Sequence, residues 1–245
     1  MRIDGRNNDE IRQMKITRNF TKYSRGSVLI EMGDTKVICT ATVEDKVPGF
    51  LKGTGKGWVT AEYNMLPSST QTRKTRDITR LKVDGRSSEI QRLVGRSLRS
   101  VMNLDVLGER TIWIDCDVIQ ADGGTRCASI TGAFVALVDA INSIDREVEF
   151  ATYPLSGMVS AVSAGIRDQE IILDLCYEED SSADVDMNVI MNDKGEFIEL
   201  QGTGEERPFT ALELTELIEK ATKGNQDIQR QIRELMGDDL KKVVN

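Results

Sequence analysis

Residues 122–126, with the sequence DGGTR, combine a tight glycine turn with groups that bind anions. They lie between a predicted strand and a predicted helix, and the two glycines let the backbone turn sharply and approach a ligand closely. The helix that follows would direct free N–H groups and a partial positive charge toward that ligand, and Arg126 adds a guanidinium suited to oxyanions. The segment therefore predicts a phosphate-type site, although an ordinary strand-to-helix turn with a surface arginine has the same pattern.

A second candidate site is the acidic segment 178–186, which holds five carboxylates in nine residues. A solvated acidic turn is the usual explanation for such a run. However, Asp184 and Asp186 alternate with Val185 on a predicted strand, so both would project from one face, next to a strongly apolar stretch. Carboxylates gathered there need a cation or a proton to neutralise them, and Mg²⁺ accepts such ligands while keeping waters for a phosphate substrate.

A third candidate is the basic stretch 73–99, where nine Lys and Arg residues accompany only three Asp and Glu residues. Such side chains neutralise phosphates and give affinity for nucleic acid that does not depend on sequence. A solvated helix face preceded by a polar loop is the alternative interpretation. No aromatic residue occurs from 64 to 112, so base-stacking platforms of the single-strand-binding type are not indicated.

Histidine is absent from the sequence. Its absence excludes Ser-His-Asp and Cys-His catalysis, HExxH zinc sites and histidine acid–base chemistry. The four cysteines are far apart and form no CxxC pair, so we expect reduced thiols rather than a zinc site or a disulfide framework. Residues 202–206, with the sequence GTGEE, are interpreted as a plain turn before the last helical region.

The elements that must position these residues alternate between strand and helix patterns, which predicts an α+β fold. A Gly33-Asp34 turn between β-branched runs indicates a hairpin. Strands are predicted over residues 27–31, 35–43, 58–63, 111–120, 157–165, 170–176, 184–191 and 196–201. Helices are predicted over residues 90–102, 128–141, 211–223 and 226–236, with Gly224 just past the end of the third and a mobile loop over 68–82.

Length and charge place further bounds on the chain. Its 245 residues contain no Gly/Ser/Pro linker, so a single domain over 1–245 is predicted. The net charge of −8 is unevenly distributed along the chain. Residues 1–99 carry 20 Lys and Arg against 11 Asp and Glu, whereas the remainder is acidic. No apolar run is long enough to cross a membrane and no signal peptide is recognised, so a cytoplasmic location is expected.

Six segments, in this order along the chain, carry a specific pattern. They are MRIDGR (1–6), GKGWVTAEYNMLP (55–67), GRSSEIQRLVGRSLR (85–99), GERTIWIDCDVIQADGGTR (108–126), YEEDSSADVDMNVIM (177–191) and LQGTGEE (200–206). Together they resemble the ribonuclease PH family, the phosphate-dependent 3′-exoribonucleases that trim transfer RNA precursors. The resemblance covers most of the chain and is weakest over the last forty or so residues.

The resemblance implies a fold, an assembly and an activity. The fold would be the α+β arrangement of ribosomal protein S5 domain 2, with mixed sheets packed against helices, in a ring-shaped homo-hexamer built as a trimer of dimers. The activity would be phosphorolysis of RNA 3′ ends, in which inorganic phosphate releases nucleoside 5′-diphosphates and the reverse reaction adds nucleotides.

The resemblance also implies residue roles. The phosphate-binding residues would be Arg86, Gly124, Thr125 and Arg126. The catalytic carboxylates, which would also bind Mg²⁺, are Asp180 and Asp186. The RNA-binding arginines would be Arg73, Arg76 and Arg80. Two positions depart from the family: Cys127 replaces a frequent hydroxyl residue after GTR, and Ser68 replaces a frequent arginine.

Two other functions remain open at this point. One is a catalytically silent, RNA-binding ring subunit, as occurs among relatives of this family in the exosome. The other is a metal-dependent hydrolytic nuclease that uses the same carboxylates. The presence of both anion-site arginines and both aspartates disfavours the silent subunit, and a requirement for phosphate would separate phosphorolysis from hydrolysis.

Overall fold

A computed structural model describes residues 2–240 and 242–243, in which nine strands form two sheets. The strands of the first sheet are β1 (Met14–Arg18), β2 (Gly26–Met32), β3 (Thr35–Glu44), β4 (Trp58–Met65) and β5 (Thr111–Gln120). Their order is β1-β2-β3-β5-β4, and all pairs are antiparallel except β4 with β5, which is parallel. The alternating buried and half-buried residues of β3 follow from its β-branched pattern, which leaves one face against the core.

The second sheet is antiparallel throughout, with the order β7-β6-β8-β9. Its strands are β6 (Val159–Arg167), β7 (Glu170–Leu173), β8 (Val185–Asn192) and β9 (Phe197–Gly204). The helices are α1 (Asp77–Arg80), α2 (Gly85–Arg99), α3 (Leu104–Leu107), α4 (Thr125–Val148), α5 (Tyr177–Asp180) and α6 (Ala211–Met236). Short 3₁₀ turns cover Gly49–Leu51 and Gly237–Leu240.

Helix α4 joins the two sheets. It packs against β2, β3 and β5 of the first sheet and against β6 of the second, while α2 covers β4 and α6 covers β6, β7 and β8. The helix is long and apolar enough to cross a membrane by composition, but 89% of its apolar window is buried inside the protein, as expected for a core helix. Small residues make this position possible: a Cβ on Gly132 would lie 2.7 Å from a methyl carbon of Ile30.

The α+β prediction, with two sheets packed against helices, is confirmed, and β5 matches its predicted bounds. The prediction of two helices over 211–223 and 226–236 is wrong, because α6 continues through Gly224. Gly224 faces Leu173, whose Cδ atoms would lie 2.9 Å from an added Cβ, so this glycine allows close packing and does not end the helix.

Several other bounds differ from prediction. Strand β1 was missed, and the predicted strand over 170–176 ends at Leu173 because Asp174 adopts a left-handed backbone with φ of 52°. The predicted loop over 68–82 contains the one-turn helix α1, and residues 177–180 form the short helix α5. Whether the chain is one domain over 1–245 stays a prediction, although the largest buried apolar cluster draws residues from both sheets.

Candidate active site

One pocket gathers the residues predicted to bind phosphate and to carry out catalysis. It has a volume of about 330 Å³ and lies where the N-termini of α2 and α4 face α5, β8 and the end of β9. All six of these predicted residues line it: Arg86, Gly124, Thr125, Arg126, Asp180 and Asp186. We call the side formed by Arg86 and residues 123–126 the phosphate wall, and the side formed by Asp180 and Asp186 the carboxylate wall.

The glycine turn of the phosphate wall depends on its two glycines. Gly123 and Gly124 both adopt positive φ, at 72° and 60°, a region in which other residues are strained. A Cβ on Gly123 would also lie 2.5 Å from the carbonyl oxygen of Leu175. Gly124 is the N-cap residue of the 24-residue helix α4. Because glycine has no side chain, the N-cap residue cannot accept a hydrogen bond from the first backbone N–H groups of the helix. Such a terminus attracts anions.

Thr125 receives a specific orientation from the first sheet. The buried Tyr63 hydroxyl on β4 donates a hydrogen bond to Thr125 Oγ1 at 2.9 Å. Burial raises the pKa of Tyr63, which therefore stays protonated and remains a donor. With one lone pair of Oγ1 engaged, the Thr125 hydroxyl proton is free to be donated into the pocket.

Two arginines complete the phosphate wall from different helices. Arg86 lies in the first turn of α2, and Arg126 lies in the first turn of α4. Arg126 donates a hydrogen bond to Gln201 on β9, and its Nη1 lies 3.6 Å from a carboxylate oxygen of Glu89. These contacts hold the Arg126 guanidinium at the pocket edge, where a planar donor can bind two oxygens of a phosphate.

The carboxylate wall is electrostatically unfavourable when the pocket holds no cation. Burial raises the pKa of Asp180, against the lowering effect of Arg86 and Arg126. Burial and the neighbouring charge of Asp180 raise the pKa of Asp186 to about 6. Asp186 Oδ2 accepts a 3.3 Å hydrogen bond from Asn188, but Asp186 Oδ1 is buried and has no hydrogen-bond partner among the described residues.

These features fit a divalent cation. An unpaired buried carboxylate oxygen and a second carboxylate beside it are the ligands that Mg²⁺ accepts, and Mg²⁺ usually takes its other ligands from water and substrate phosphates. Within residues 2–240 and 242–243, no group of three or more acidic or cysteine side chains is close enough to enclose a metal. Any cation held here would therefore have at most the two carboxylates of Asp180 and Asp186 as protein ligands from this wall.

The pocket does not include every carboxylate of the acidic segment, and it includes others. Asp184 precedes β8 and does not line the pocket; its Oδ2 lies 3.5 Å from Arg207 Nε. Glu205 and Glu206, interpreted as part of a plain turn, line the pocket, and the Glu205 charge raises the pKa of Asp186 further. The signal that could have found them was the LQGTGEE segment of the family pattern.

Cys127, at the position where the family often has a hydroxyl residue, is buried beside the pocket and does not line it. The thiol is buried, its Sγ lies 3.3 Å from Asn188 Oδ1, and burial raises its pKa far above the ordinary value. It contacts the residue that supports Asp186 and is not among the side chains that line the pocket.

The arginines predicted to bind RNA lie outside this pocket. Arg73, Arg76 and Arg80 are exposed, on and beside α1. Arg76 borders a separate cavity of about 260 Å³ together with Asn64 and Asp117. The loop is tied to the start of α2 by Lys74, whose Nζ lies 2.9 Å from Asp84 Oδ2. Since Arg86 lies two residues after Asp84, this contact connects the loop to the phosphate wall.

Comparisons with known proteins identify the family of the chain. The model of the ribonuclease PH family described as 3′ exoribonuclease family, domain 1, matches residues 10–141, and that of domain 2 matches residues 157–224. The first match includes Arg86 and the glycine turn, whereas the second includes Asp180 and Asp186. The pocket therefore draws its two walls from the two matched regions.

Three solved structures have the same fold. The crystal structure of rice (Oryza sativa) Rrp46 has a TM-score of 0.78 and 20% identity, covering 96% of this chain and 100% of that chain. The Archaeoglobus fulgidus exosome with RNA bound to the active site has a TM-score of 0.80 and 21% identity, covering 94% and 92%. An archaeal exosome core has a TM-score of 0.74 and 21% identity, covering 97% and 91%. At these identities the likeness concerns the fold.

Proposed function

The chain belongs to the 3′ exoribonuclease family, and from that premise we propose that it is a phosphorolytic 3′-5′ exoribonuclease that trims the 3′ trailer of transfer RNA precursors. The observation that carries the proposal is the pocket in which two guanidinium groups and a helix N-terminus face two carboxylates. Phosphorolysis needs this combination, because phosphate itself is the nucleophile and the protein has to position it and compensate charge.

The phosphate wall would hold the nucleophile. Arg86, Arg126 and the amides of the glycine turn bind inorganic phosphate, and the Thr125 hydroxyl adds a donor. A phosphate oxygen attacks the 3′-terminal phosphodiester, forming a P–O–P bond while the bond from phosphorus to the 3′ oxygen of the preceding nucleotide breaks. The proton of hydrogen phosphate is transferred to that leaving oxygen, so the products are a nucleoside 5′-diphosphate and RNA shortened by one nucleotide.

The carboxylate wall would serve the leaving group. Asp180 and Asp186 would hold Mg²⁺, and the bound ion would offset negative charge on the leaving 3′ oxygen. Either carboxylate can also carry the transferred proton.

We further propose how the enzyme engages RNA and assembles. The exposed Arg73, Arg76 and Arg80 would contact the RNA backbone, and the protein would act as a cytoplasmic homo-hexamer, a trimer of dimers. The four cysteines support a reducing compartment, since all are buried and free. Sedimentation of the purified protein tests the hexamer directly.

The decisive experiment incubates the purified protein with RNA bearing a 3′ trailer, with and without inorganic phosphate, in the presence of Mg²⁺. Nucleoside diphosphates released only with phosphate are the expected products. Nucleoside monophosphates released without phosphate would identify a hydrolytic nuclease instead. Binding of RNA without turnover would identify a catalytically silent ring subunit. A transfer RNA precursor and an unrelated RNA with the same trailer, compared at equal concentration, test the transfer RNA preference.

A further inference from the structure

Behind both walls of the pocket lies the segment 2–12, whose Arg2 and Arg12 are buried against carboxylates of the second matched region. The half-buried Arg6 lies between them, with guanidinium nitrogens 3.8 Å from carboxylate oxygens of both Asp174 and Glu179. Arg12 Nη2 lies 2.7 Å from Asp174 Oδ1, and the Arg12 backbone N–H donates to Asp174 Oδ2 at 2.7 Å. Arg12 is 4% exposed and Asp174 is fully buried. Burial alone would raise the pKa of Asp174, but the Arg12 charge and its hydrogen bonds lower it below the ordinary value. The pair is therefore ionised inside the protein.

Arg12 also binds the glycine turn from behind. Its Nη1 donates to the carbonyl oxygen of Asp122, and its Nη2 lies 3.5 Å from the carbonyl oxygen of Gly123. In a trans peptide the N–H points opposite to the C=O. Holding these two carbonyls toward Arg12 consequently directs the N–H groups of Gly123 and Gly124 away from it, and Gly124 lines the pocket on the other side.

The fit leaves no room for another residue at the turn. A Cβ on Gly124 would lie 2.8 Å from Arg12 Nη2. Thr35 Oγ1 donates to the same Gly123 carbonyl at 2.6 Å, so this oxygen has donors from two elements. The backbone of the phosphate wall is thus held by side chains that do not line the pocket.

Arg2 lies behind the carboxylate wall, where its Nη1 and Nη2 donate to the carbonyl oxygens of Leu173 and Asp174 at 2.7 and 3.0 Å. Its Nε and Nη2 donate to the two carboxylate oxygens of Glu179 at 2.9 and 2.6 Å, and both side chains are buried. Glu179 precedes Asp180 on α5 and also accepts a hydrogen bond from the backbone N–H of Cys176, which closes the start of the helix. A forked contact of this kind fixes the orientation of α5 and therefore of Asp180.

We propose that Arg12 and Arg2 are positioning residues, one for each wall: Arg12 sets the turn amides that bind phosphate, and Arg2 sets the helix that presents Asp180. The inference rests on the proposed phosphorolytic function for its kinetic readouts. It predicts that the two arginines, although neighbours in one segment, affect different kinetic constants.

Arginine-to-lysine variants test whether Arg12 and Arg2 act on different walls. Lysine keeps the positive charge but cannot donate two parallel hydrogen bonds as a guanidinium does. Arg12→Lys should raise the KM for phosphate about ten-fold with kcat changed less than about three-fold, since a small misplacement of the turn weakens phosphate binding. Arg2→Lys should lower kcat about ten-fold with little change in the KM for phosphate. The matched control is Arg18→Lys, because Arg18 pairs with Asp139 and Asp239 away from the pocket and should change only thermal stability.

A binding measurement separates failure of the inference from failure of the proposed function. Inorganic phosphate should raise the Tm of the wild-type protein, and Arg12→Lys should need about ten-fold more phosphate for the same rise, whereas Arg2→Lys should not. A wild-type protein that binds phosphate without phosphorolysis would refute the function and leave this readout intact. Equal phosphate affinities for the Arg12, Arg2 and Arg18 variants would overturn the inference.

A second variant covers the case in which Arg12→Lys does not fold. Asp174→Asn keeps the shape of the side chain and suits the left-handed backbone at this position, where φ is 52°. It weakens the hold on Arg12 without touching the turn and should shift the phosphate dependence in the same direction. An unchanged phosphate requirement in a folded Asp174→Asn protein would also overturn the role of Arg12.

Discussion

The two walls line one pocket but are built from different chemical groups. The phosphate wall consists of backbone amides, two guanidinium groups and glycines that no other residue can replace without strain. The carboxylate wall consists of side chains whose pKa values are raised by burial and by neighbouring carboxylates. The first wall keeps its charge at any working pH, whereas the second is stable as a pair of anions only when a cation compensates it. From this difference we expect phosphate binding and turnover to depend on separate groups, which substitutions in one wall or the other can distinguish.

The largest expected effect comes from removing one charge of the carboxylate wall. Asp186→Asn keeps the shape of the side chain but removes the carboxylate proposed to bind Mg²⁺ and to carry a proton, so kcat should fall by about 10³-fold or more. Release of nucleoside diphosphates at saturating phosphate measures it. Phosphate binding, followed by the Tm rise, should persist.

The control for this variant is Asp184→Asn, two residues away and paired with Arg207 outside the pocket. It should keep near wild-type turnover. If Asp186→Asn retained more than about a tenth of the wild-type kcat, the carboxylate wall would not be the catalytic one and the contrast between the walls would collapse.

A smaller effect is expected on the phosphate wall. Arg126→Ala removes one charge-assisted contact to phosphate, which should raise the KM for phosphate about 100-fold while RNA affinity changes little. The measurement compares initial rates over a phosphate titration with binding of a labelled RNA. Arg96→Ala serves as the control, since Arg96 pairs with Glu199 outside the pocket. Equal losses of phosphate and RNA affinity would contradict a phosphate-specific role.

The exposed loop that carries Arg73 and Arg76 lies outside the pocket, and we expect it to affect RNA binding but not phosphate binding. Replacing Arg73 and Arg76 by Ala should weaken RNA binding about ten-fold and reduce the salt slope of log K by about 1.4, if each arginine neutralises one phosphate of a single strand. The KM for phosphate should stay unchanged. Replacing the exposed Lys22 and Lys194 removes the same charge elsewhere and should leave the salt slope unaltered. An unchanged slope for the arginine variant would remove this loop from the RNA contacts.

Local sequence patterns predicted the elements better than their junctions. The alternation of apolar and polar residues in β5 and the apolar run of α4 were sufficient, because each element buries one continuous face or stripe. Gly224 misled the prediction of α6, since its role lies in contact with Leu173, a residue 51 positions earlier that no local pattern reveals.

The sequence suggested the chemistry of the candidate site but not its geometry. Residue types alone indicated an anion site and a carboxylate site, and the family resemblance selected Asp180 rather than Asp184 as the partner of Asp186. No spacing along the chain shows that Arg86 and Asp186, 100 positions apart, line one pocket. The contacts of Arg2 with Glu179 and of Arg12 with Asp174 could not be predicted from local sequence patterns either. They join the N-terminal segment to residues more than 150 positions later in the chain.

The smallest expected effect is on the free energy of unfolding, which the buried charge of Asp186 should lower. The pKa of Asp186 in the folded protein, about 6, lies above its ordinary value of 3.8, so folding favours the protonated form. The contribution of Asp186 to the unfolding free energy should therefore fall as pH rises from about 4 to about 6 and then level off, because a carboxyl whose pKa is raised by folding stabilises the native state only while it is protonated. A shift of this size corresponds to at most about 3 kcal/mol, and we expect about 1 kcal/mol because water in the open pocket screens part of the penalty.

Urea unfolding in the presence of EDTA, with wild type and Asp186→Asn compared at several pH values, measures this cost. The two proteins should be equally stable near pH 4, and the Asn variant should be the more stable one above pH 6. Addition of Mg²⁺ should close that gap, since an ion bound to the wild-type carboxylates stabilises the native state and the variant lacks a ligand. A variant that loses activity while gaining stability would identify the carboxylate wall as the strained, functional half of the site. A variant that loses both would mean that Asp186 is structural.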